Sequence, residues 1–302
     1  MSHWRDPEFR EYPAIPHMGG YHTACQASRS PDMEKLSVFI TTFNNARTLP
    51  ACLDSVRWAD EILILDSFST DATLDIAAAH GCVIHREAFK GYGPQKQSAL
   101  EKTRHRWVLL LDADEALSPE SQAEIRDLMR RGPDADGYTL PRQEQLFWRM
   151  SDPRVRMNHF LRLFDKNRGH IDAMPIHAAP KVEGRIARLE HPFYHFGETS
   201  LHVKVDKVNA YSSGLVREKR GRGVSPNPWK MVFYPPFAFV RSYLFKRAFL
   251  NGWAGFMASV VMAFYAFMKY AKLHEAAEFE RVGARAMPPG APPQEGPPEI
   301  RG

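Results

Sequence analysis

The chain has 302 residues, of which 44% are hydrophobic and 25% are charged. This composition is typical of a folded globular protein and excludes a disordered or fibrous one. The formal net charge of +5 favours an anionic partner, a class that includes nucleic acid, a membrane surface and a phosphorylated substrate. The three cysteines are far apart and lack zinc-ligand or redox spacing, which excludes a disulfide scaffold.

Both ends of the chain have the composition of disordered segments. Residues 1–33 mix proline, glycine, histidine and charges without periodicity, which predicts a disordered extension. This segment also lacks the apolar core of a signal peptide, so we do not expect secretion. Residues 282–302 are rich in proline and glycine, and we expect them to be disordered as well.

Between residues 36 and 131, strand and helix patterns alternate. Short apolar runs predict strands at residues 36–42, 61–66, 83–85 and 106–112. Apolar residues at helical spacing predict helices at residues 48–58, 71–80, 94–102 and 119–130, and Ser118 is the predicted N-cap of the last one. The alternation predicts an α/β fold, a largely parallel sheet with helices on both faces. In such sheets ligands bind at the carboxyl ends of the strands.

The second half of the chain has a different pattern. Residues 137–200 contain short β-like runs that are broken by loops, which predicts an antiparallel or mixed extension of the same sheet. Residues 204–220 have a helical pattern. These features predict one sheet-based domain at residues 34–200, followed by helices.

The region from residue 201 to residue 281 is both apolar and basic. It holds 13 Lys and Arg against 5 Asp and Glu, and residues 248–268 carry no charge. An apolar helix with flanking cations predicts a membrane-associating helical region. We favour helices in the membrane plane over a spanning helix, because Pro235 and Pro236 are expected to break the region and polar residues lower its hydrophobicity. A buried core helix is the alternative.

Asp112-Ala113-Asp114 directly follows the most apolar predicted strand. Two carboxylates one residue apart can both reach one hard cation, and Mg²⁺ or Mn²⁺ is bound in this way by carboxylates together with phosphate oxygens. Such a cation would neutralise a diphosphate leaving group. The alternative is an acidic loop that precedes the next helix.

Two further polar residues remain open to two interpretations. Asp66 ends the second predicted strand, where its carboxylate can accept the imide proton of uracil or thymine, or can hold the turn that follows. Lys96 is predicted in the first turn of a helix, where it can meet a phosphate or be a solvated surface lysine. Glycine-rich dinucleotide and P-loop motifs are absent from the sequence.

Four motifs occur in order along the first half of the chain: Phe39-Ile-Thr-Thr-Phe-Asn44, Trp58-Ala-Asp-Glu61 leading to Asp66-Ser-Phe-Ser-Thr-Asp71, Gly91-Tyr-Gly-Pro-Gln-Lys96, and Leu111-Asp-Ala-Asp-Glu115. Together they resemble the family 2 glycosyltransferases. More narrowly, the chain resembles the branch that includes lipopolysaccharide-core β-glucosyltransferases, over about residues 35–275. Arg162-Leu-Phe164 and Pro175-Ile-His177 match further motifs of that branch.

The resemblance implies a GT-A fold, in which a Rossmann-like nucleotide-sugar half (34–135) joins an acceptor half (136–200). It also implies inverting, metal-dependent transfer from a nucleotide sugar. By motif position, the residues that would hold the nucleoside are Thr41, Phe43, Asn44 and Asp66. Asp112 and Asp114 would hold Mg²⁺ or Mn²⁺, and Lys96 and Arg162 would lie near the diphosphate.

An inverting enzyme needs a general base opposite the leaving group. The branch has Val-His-Glu where this chain has Ile176-His177-Ala178, so the expected glutamate is missing. The candidates for the base are Asp172, His177, Glu183 and Glu115. His177 is equally suited to a structural role or to a third metal ligand.

We therefore expect an enzyme of cell-envelope synthesis that moves a hexose to lipopolysaccharide core or to another lipid-linked glycan. We expect it on the cytoplasmic side of the inner membrane, attached peripherally or monotopically. The alternatives are a transferase that moves a sugar to polyprenyl phosphate and a catalytically silent, membrane-bound sugar-binding protein. A nucleic-acid partner is not expected, because the positive surplus lies beside the apolar helix and not in a basic groove with stacked aromatics.

Overall fold

The computed structural model describes residues 34–172 and 179–282. Residues 1–33 and 283–302 of the predicted disordered segments lie outside these ranges, as do His177 and Ala178. Residue 282, which the composition predicts to be disordered, is instead the last residue of the C-terminal helix.

Strand and helix alternate through the first half of the described chain, as the apolar pattern predicts. The elements are β1 (Leu36–Thr42), α1 (Leu49–Asp54), β2 (Glu61–Asp66), α2 (Thr73–Ala79), β3 (Val83–Arg86), α3 (Tyr92–Lys102), β4 (Trp107–Asp112), β5 (Glu115–Leu117) and α4 (Pro119–Arg131). The Oγ of Ser118 accepts a hydrogen bond from the N–H of Ser121, so the predicted cap of α4 is confirmed.

The second half adds short strands and then three long helices. They are β6 (Gly137–Leu146), β7 (Arg149–Met150), β8 (Asn158–Asp165), β9 (Gly169–Ile171), β10 (Pro180–Val182), β11 (Ile186–Arg188), β12 (Phe193–His195), α5 (Leu201–Gly221), α6 (Pro228–Val240) and α7 (Trp253–Val282).

One mixed sheet of ten strands organises the domain, with the main order β3-β2-β1-β4-β8-β6-β12-β5. β1, β2, β3 and β4 are parallel. β8 is antiparallel to β4 and to β6, and β12 is antiparallel to β5. The predicted mixed extension is therefore confirmed, and β9 and β10 form a separate two-stranded sheet.

Helices cover both faces of the parallel strands. On one face, Ile40 and Leu109 belong to a buried cluster with Leu53 of α1 and Ile125 of α4. On the other face, Phe39, Leu65 and Leu110 lie against Ala99 and Leu100 of α3. Strands that are buried on both faces read as continuous apolar runs, which is why they were recognisable in the sequence. The predicted α/β architecture is confirmed.

The C-terminal helices differ from the sequence prediction in where they break. α6 continues through Pro235 and Pro236, and contact with α7 supports it there, since the rings of Tyr234 and Tyr270 are 5.1 Å apart. The break comes later, in a π-helical turn (Arg241–Phe245) and a 3-10 turn (Ala248–Asn251).

The uncharged segment at residues 248–268 is therefore not one helix, since its long helix begins only at Trp253. The 3-10 turn folds back closely on α7, and a Cβ atom at Gly255 would lie 1.8 Å from the carbonyl oxygen of Ala248. Within the described ranges, α7 is the one helix that is long and apolar enough to cross a membrane by length and composition, and 33% of its apolar window is buried.

Candidate active site

Asp112 and Asp114 flank the turn that leads out of the central strand. Asp112 is the last residue of β4, and Asp114 lies just before β5. Thr41 is opposite Asp112 in the β1–β4 register, and Asp66 is opposite Thr42 in the β1–β2 register, so these strand ends meet at one edge of the sheet. The side chains of Asp112 and Asp114 are 32% and 33% exposed. Both carboxylates therefore remain accessible at this edge.

Two cationic side chains lie against Asp112. The Nζ of Lys96 is 2.5 Å from its Oδ1, and the Nη2 of Arg162 is 3.5 Å from its Oδ2. Burial opposes ionisation of Asp112, but the positive charges of Lys96 and Arg162 outweigh it and hold the pKa of this carboxyl below its ordinary value. The structure thus brings both predicted diphosphate residues to the carboxylate pair.

The position of Lys96 corrects the sequence interpretation in one respect. α3 begins at Tyr92 and not at Pro94, so Lys96 lies beyond the first turn of the helix. Its side chain is buried and ion-paired, which excludes the solvated surface lysine.

Glu115 lies in a buried ion pair beneath this pair of aspartates. Its Oε1 is 2.5 Å from the Nη2 of Arg162, and its Oε2 accepts a hydrogen bond from the N–H of Asp112 at 3.0 Å. Burial raises the pKa of Glu115 to about 7, although Arg162 opposes this rise. Since only 1% of Glu115 is exposed, it supports the turn and is not open to an acceptor hydroxyl.

His195, which the sequence did not single out, links Asp114 to a third carboxylate. Its Nε2 is 3.4 Å from Oδ2 of Asp114, and its Nδ1 is 2.6 Å from Oε2 of Glu144. Burial opposes protonation of His195, but hydrogen bonds to Asp114 and Glu144 outweigh it and raise the pKa of His195 to about 10. No motif marks these residues, which meet only because β12 lies between β5 and β6.

The donor atoms of this edge are suited to a hard divalent cation. Within residues 34–172 and 179–282, no three His, Cys, Asp or Glu side chains are arranged as a metal centre. Asp112 and Asp114 offer two carboxylates, and Mg²⁺ or Mn²⁺ in nucleotide enzymes takes one or two carboxylates and fills its other positions with phosphate oxygens and water. The residues present therefore fit a cation that binds together with a diphosphate.

Asp66 holds the loop between β2 and α2. Its Oδ1 accepts hydrogen bonds from the hydroxyls of Thr42 and Ser69 at 3.0 and 2.5 Å, and its Oδ2 accepts one from the N–H of Ser69 at 2.8 Å. The residue is fully buried. Of the two interpretations that the sequence left open, this geometry favours the turn.

The loops after β1 and β2 are joined to each other, and they present two exposed aromatic side chains. Asn44 donates its N–H to the Oγ of Ser69, and its Oδ1 accepts from the N–H of Thr70, so Asn44 clamps the two loops. Phe43 and Phe68 are exposed beside this clamp. Phe68 is not among the predicted site residues, although it lies within the motif Asp66-Ser-Phe-Ser-Thr-Asp71.

Two further predicted candidates for the general base, Glu183 and Asp172, lie in different places. Glu183 lies near Arg168 and Asp136, at the end of the sheet where β4 begins, and is remote from Asp112. Asp172 follows β9, and its Oδ2 is 2.6 Å from the Nζ of Lys181. The structure therefore does not bring Glu183 to the cluster.

α5 passes close to Asp114. Lys207 donates to the carbonyl oxygen of Gly197 at 2.8 Å. Burial opposes ionisation of Asp114, but the hydrogen bond and charge of His195 outweigh it and lower the pKa of Asp114, and the charge of Lys207 adds to this lowering. Partial burial raises the pKa of Tyr211, and the nearby Tyr92 and Asp114 add to this effect. Tyr92 and Tyr211 are both more than half exposed, so they form an aromatic rim near the aspartates.

Comparison with known proteins shows the family of this chain. Residues 37–182 match Glycosyl transferase family 2. An uncharacterized glycosyltransferase of Rickettsia felis is 31% identical over 80% of this chain and 90% of its own length. The lipopolysaccharide core biosynthesis glycosyltransferase LpsC of Rhizobium meliloti is 29% identical over 80% of this chain and 92% of its own.

Among solved structures, S. aureus TarS (residues 1–349) aligns with a TM-score of 0.41 and 14% identity, over 82% of this chain and 92% of that one. Glucosyl-3-phosphoglycerate synthase from Mycobacterium tuberculosis, in complex with Mn²⁺, UDP and glucosyl-3-phosphoglycerate, aligns with a TM-score of 0.32 and 21% identity, over 37% of this chain and 44% of that one. The family match and the relative at 31% identity establish that this chain is a glycosyltransferase and belongs to glycosyl transferase family 2.

Proposed function

We propose that this glycosyltransferase moves a hexose, with inversion, from a nucleoside diphosphate sugar to lipopolysaccharide core or a similar lipid-linked glycan at the cytoplasmic face of the membrane. The observation that carries the proposal is the accessible pair Asp112 and Asp114 at the end of β4, bordered by Lys96 and Arg162. Two carboxylates and two cations at the carboxyl edge of a parallel sheet suit a metal diphosphate.

Asp112 and Asp114 would hold Mg²⁺ or Mn²⁺, which supplies charge neutralisation for the departing diphosphate. Lys96 is the side chain best placed to contact a phosphate oxygen, since its Nζ already contacts an anionic oxygen at this edge. Arg162 is held in place by Glu115, so it would add positive charge near the diphosphate without moving toward it. His195 orients Asp114 through a hydrogen bond, as residues behind metal ligands commonly do.

The exposed rings of Phe43 and Phe68 offer flat faces for a nucleobase beside the ends of β1 and β2. The guanidinium carbon of Arg86, at the end of β3, is 5.0 Å from the centre of the Phe68 ring and adds a cation there. The nucleoside would therefore lie over the two joined loops, and Asp66 would act by holding the loop shape.

In the proposed reaction, an acceptor hydroxyl attacks the anomeric carbon opposite the diphosphate, the bond from that carbon to the diphosphate oxygen breaks, and a base takes the hydroxyl proton. Among the candidates in the described residues we retain Asp172, because the chain just before it is joined to the helix that carries Lys96. The N–H of Ile171 donates to the side-chain oxygen of Gln97 at 2.8 Å, and Gln97 directly follows Lys96. His177 is the second candidate.

The membrane part of the proposal rests on the surface of α6, α7 and the turns between them. Five of its aromatic side chains are more than 60% exposed: Trp229, Phe233, Phe237, Phe245 and Trp253. Exposed apolar patches of this kind mark membrane or protein contact. The likeness to a lipopolysaccharide core biosynthesis enzyme supports the membrane and the lipid-linked acceptor.

The test is a panel of nucleotide sugars offered to the purified full chain with Mn²⁺ and a core-type glycolipid. We expect one donor to give transfer that EDTA abolishes and that inverts the anomeric configuration, as read by NMR of the product. If no donor reacts and EDTA changes nothing, the proposal is wrong, and a donor that binds without reacting would favour the silent sugar-binding protein. Transfer to polyprenyl phosphate in place of the glycolipid would overturn the acceptor assignment.

A further inference from the structure

An open cavity of about 350 Å³ lies at the junction of the sheet domain and the C-terminal helices. Its lining consists of Arg154, Arg156, Phe245 and Arg247. Three arginines and one aromatic ring, with no carboxylate in the lining, are a composition suited to a phosphate group. We propose that this arginine pocket binds the phosphate of a membrane lipid next to the acceptor side of the active site.

The charges of the arginine pocket are only partly compensated. Arg154 pairs with Asp152 through two nitrogens at 2.9 and 2.8 Å, which fixes the direction of its guanidinium group. Across residues 34–172 and 179–282, Arg156 and Arg247 have no ion pair with a carboxylate. Two guanidinium groups are thus available for an external anion.

Neighbouring cations increase the positive potential. Lys246 lies directly before Arg247, and its pKa is lowered by burial first and then by the charges of Arg241 and Arg156. Like charges that crowd together are stabilised when an anion binds between them.

Specific backbone contacts build the arginine pocket. The N–H of Arg156 donates to the carbonyl oxygen of Lys246 at 3.2 Å, and the N–H of Asp152 donates to the buried Oδ1 of Asn251 at 2.6 Å. These bonds tie the loop after β7 to the break between α6 and α7. Arg247 has a φ of 60°, a left-handed conformation that non-glycine residues seldom adopt. Strain of this kind tends to be kept where function requires it.

Exposed apolar side chains indicate that the anion belongs to a lipid. Phe245 in the lining is 72% exposed, and Leu244, Phe249 and Trp253 nearby along the chain are also exposed. A soluble sugar phosphate has no apolar part that could contact these side chains, whereas a lipid has apolar chains next to its phosphate. Cations beside exposed aromatic residues are the usual arrangement at a bilayer surface.

The arginine pocket also lies close to the candidate active site. The N–H of Ser151 donates to the carbonyl oxygen of Glu144 at 2.8 Å, and Glu144 contacts His195 beside Asp114. The charge of Glu144 also acts on Lys246. A lipid phosphate held in the pocket would thus leave its glycan free to extend toward the donor sugar, a consequence that rests on the proposed function.

The test is flotation of the full chain with vesicles of phosphatidylcholine, with and without phosphatidylglycerol. We expect Arg156→Ala/Arg247→Ala to bind the anionic vesicles about tenfold or more weakly, because each Lys or Arg near an anionic surface adds measurable affinity. Arg156→Lys/Arg247→Lys should recover part of the binding. The matched control is Arg57→Ala/Arg131→Ala, which removes two exposed arginines elsewhere and should bind normally.

Three outcomes would contradict lipid binding by the arginine pocket. They are unchanged vesicle binding by Arg156→Ala/Arg247→Ala, an equal loss of binding in the control, and full competition by inorganic phosphate at the concentration of lipid phosphate. Thermal unfolding of each variant shows whether it is folded. The vesicles contain no donor and no glycan, so this assay reports on the pocket alone. Normal vesicle binding by a chain that transfers no sugar in the donor panel would refute the proposed function and leave the pocket standing.

Discussion

The Nζ atom of Lys96 lies 2.5 Å from the Oδ1 of Asp112. A protein cation therefore occupies one oxygen of the carboxylate that we assign to the metal. If Asp112 holds the metal, Lys96 should compete with it in the free enzyme and should contact the diphosphate once the donor is bound.

Lys96→Met should separate these two effects. Without the lysine charge, Asp112 should bind Mn²⁺ alone more tightly, while donor turnover should fall on the order of 100-fold because a cation at the diphosphate is lost. Titration calorimetry measures the first effect and donor hydrolysis the second. Lys102→Met is the matched control, since Lys102 lies on the same helix and pairs with Glu87; equal behaviour of the two variants would contradict the assignment.

The buried pair of Glu115 and Arg162 should matter for stability in addition to the charge that Arg162 would supply at the diphosphate. Arg162→Met leaves the carboxylate of Glu115 buried without its partner, which should lower the free energy of unfolding by about 3–5 kcal/mol. Glu115→Gln in the same chain should restore part of this loss, since an amide needs no counter-charge. Urea denaturation measures both variants.

Arg130→Met serves as the control for this pair, because Arg130 is exposed and pairs with Asp127 on the surface. It should not move the denaturation midpoint. If Arg162→Met is as stable as this control, the pair does not support the turn that carries Asp112.

His195→Gln should affect metal use more than folding. The substitution weakens the hold on Asp114, so we expect activity to fall about 10- to 100-fold and the Mn²⁺ concentration for half-maximal activity to rise. A purely structural role would lower the amount of folded enzyme without changing that concentration. His191→Gln, at an exposed position in the same segment, should leave both quantities unchanged.

The exposed surface of α6, α7 and their turns should hold the chain on membranes. Phe245→Ser/Trp253→Ser removes two rings that are 72% and 76% exposed. Because burial of one such ring contributes about 1.5–3 kcal/mol, vesicle binding should weaken by at least about tenfold. Ile186→Ser, on β11, is the apolar control. Membrane binding that survives the loss of both rings would contradict this attachment.

Substitution is a cleaner test here than deletion of the helices. Phe147 of the sheet domain is buried in a cluster with Ala254 and Ala258 of α7. Removal of α7 would expose this cluster, so loss of membrane binding in a truncated chain would be hard to separate from damage to the fold.

The sequence was informative where local pattern decides structure. β1, β2 and β4 are buried on both faces and therefore read as continuous apolar runs. The apolar run that becomes β4 therefore predicted that Asp112 and Asp114 lie at the end of that strand. The cap at Ser118 followed in the same way from local hydrogen bonding.

Long-range pairing is what local pattern could not supply. His195 and Glu144 lie 51 positions apart and meet through the register of β12 and β6. Asp66 was ambiguous because a strand-ending aspartate suits a ligand and a turn equally well, and only its three hydrogen bonds decide between them. The helix through Pro235 and Pro236 depends on packing against α7, which overrides the local tendency of proline to end a helix.

Metal-dependent donor hydrolysis by Asp114→Asn tests the central claim most directly. Asp127→Asn, at an exposed aspartate of α4 that pairs with Arg130 and Arg131, is the matched control. If Asp112 and Asp114 hold the metal, Asp114→Asn should lose activity by a factor on the order of 100 or more, with unchanged thermal unfolding, while Asp127→Asn stays active. Wild-type rates with an unchanged Mn²⁺ requirement in Asp114→Asn would contradict the metal assignment.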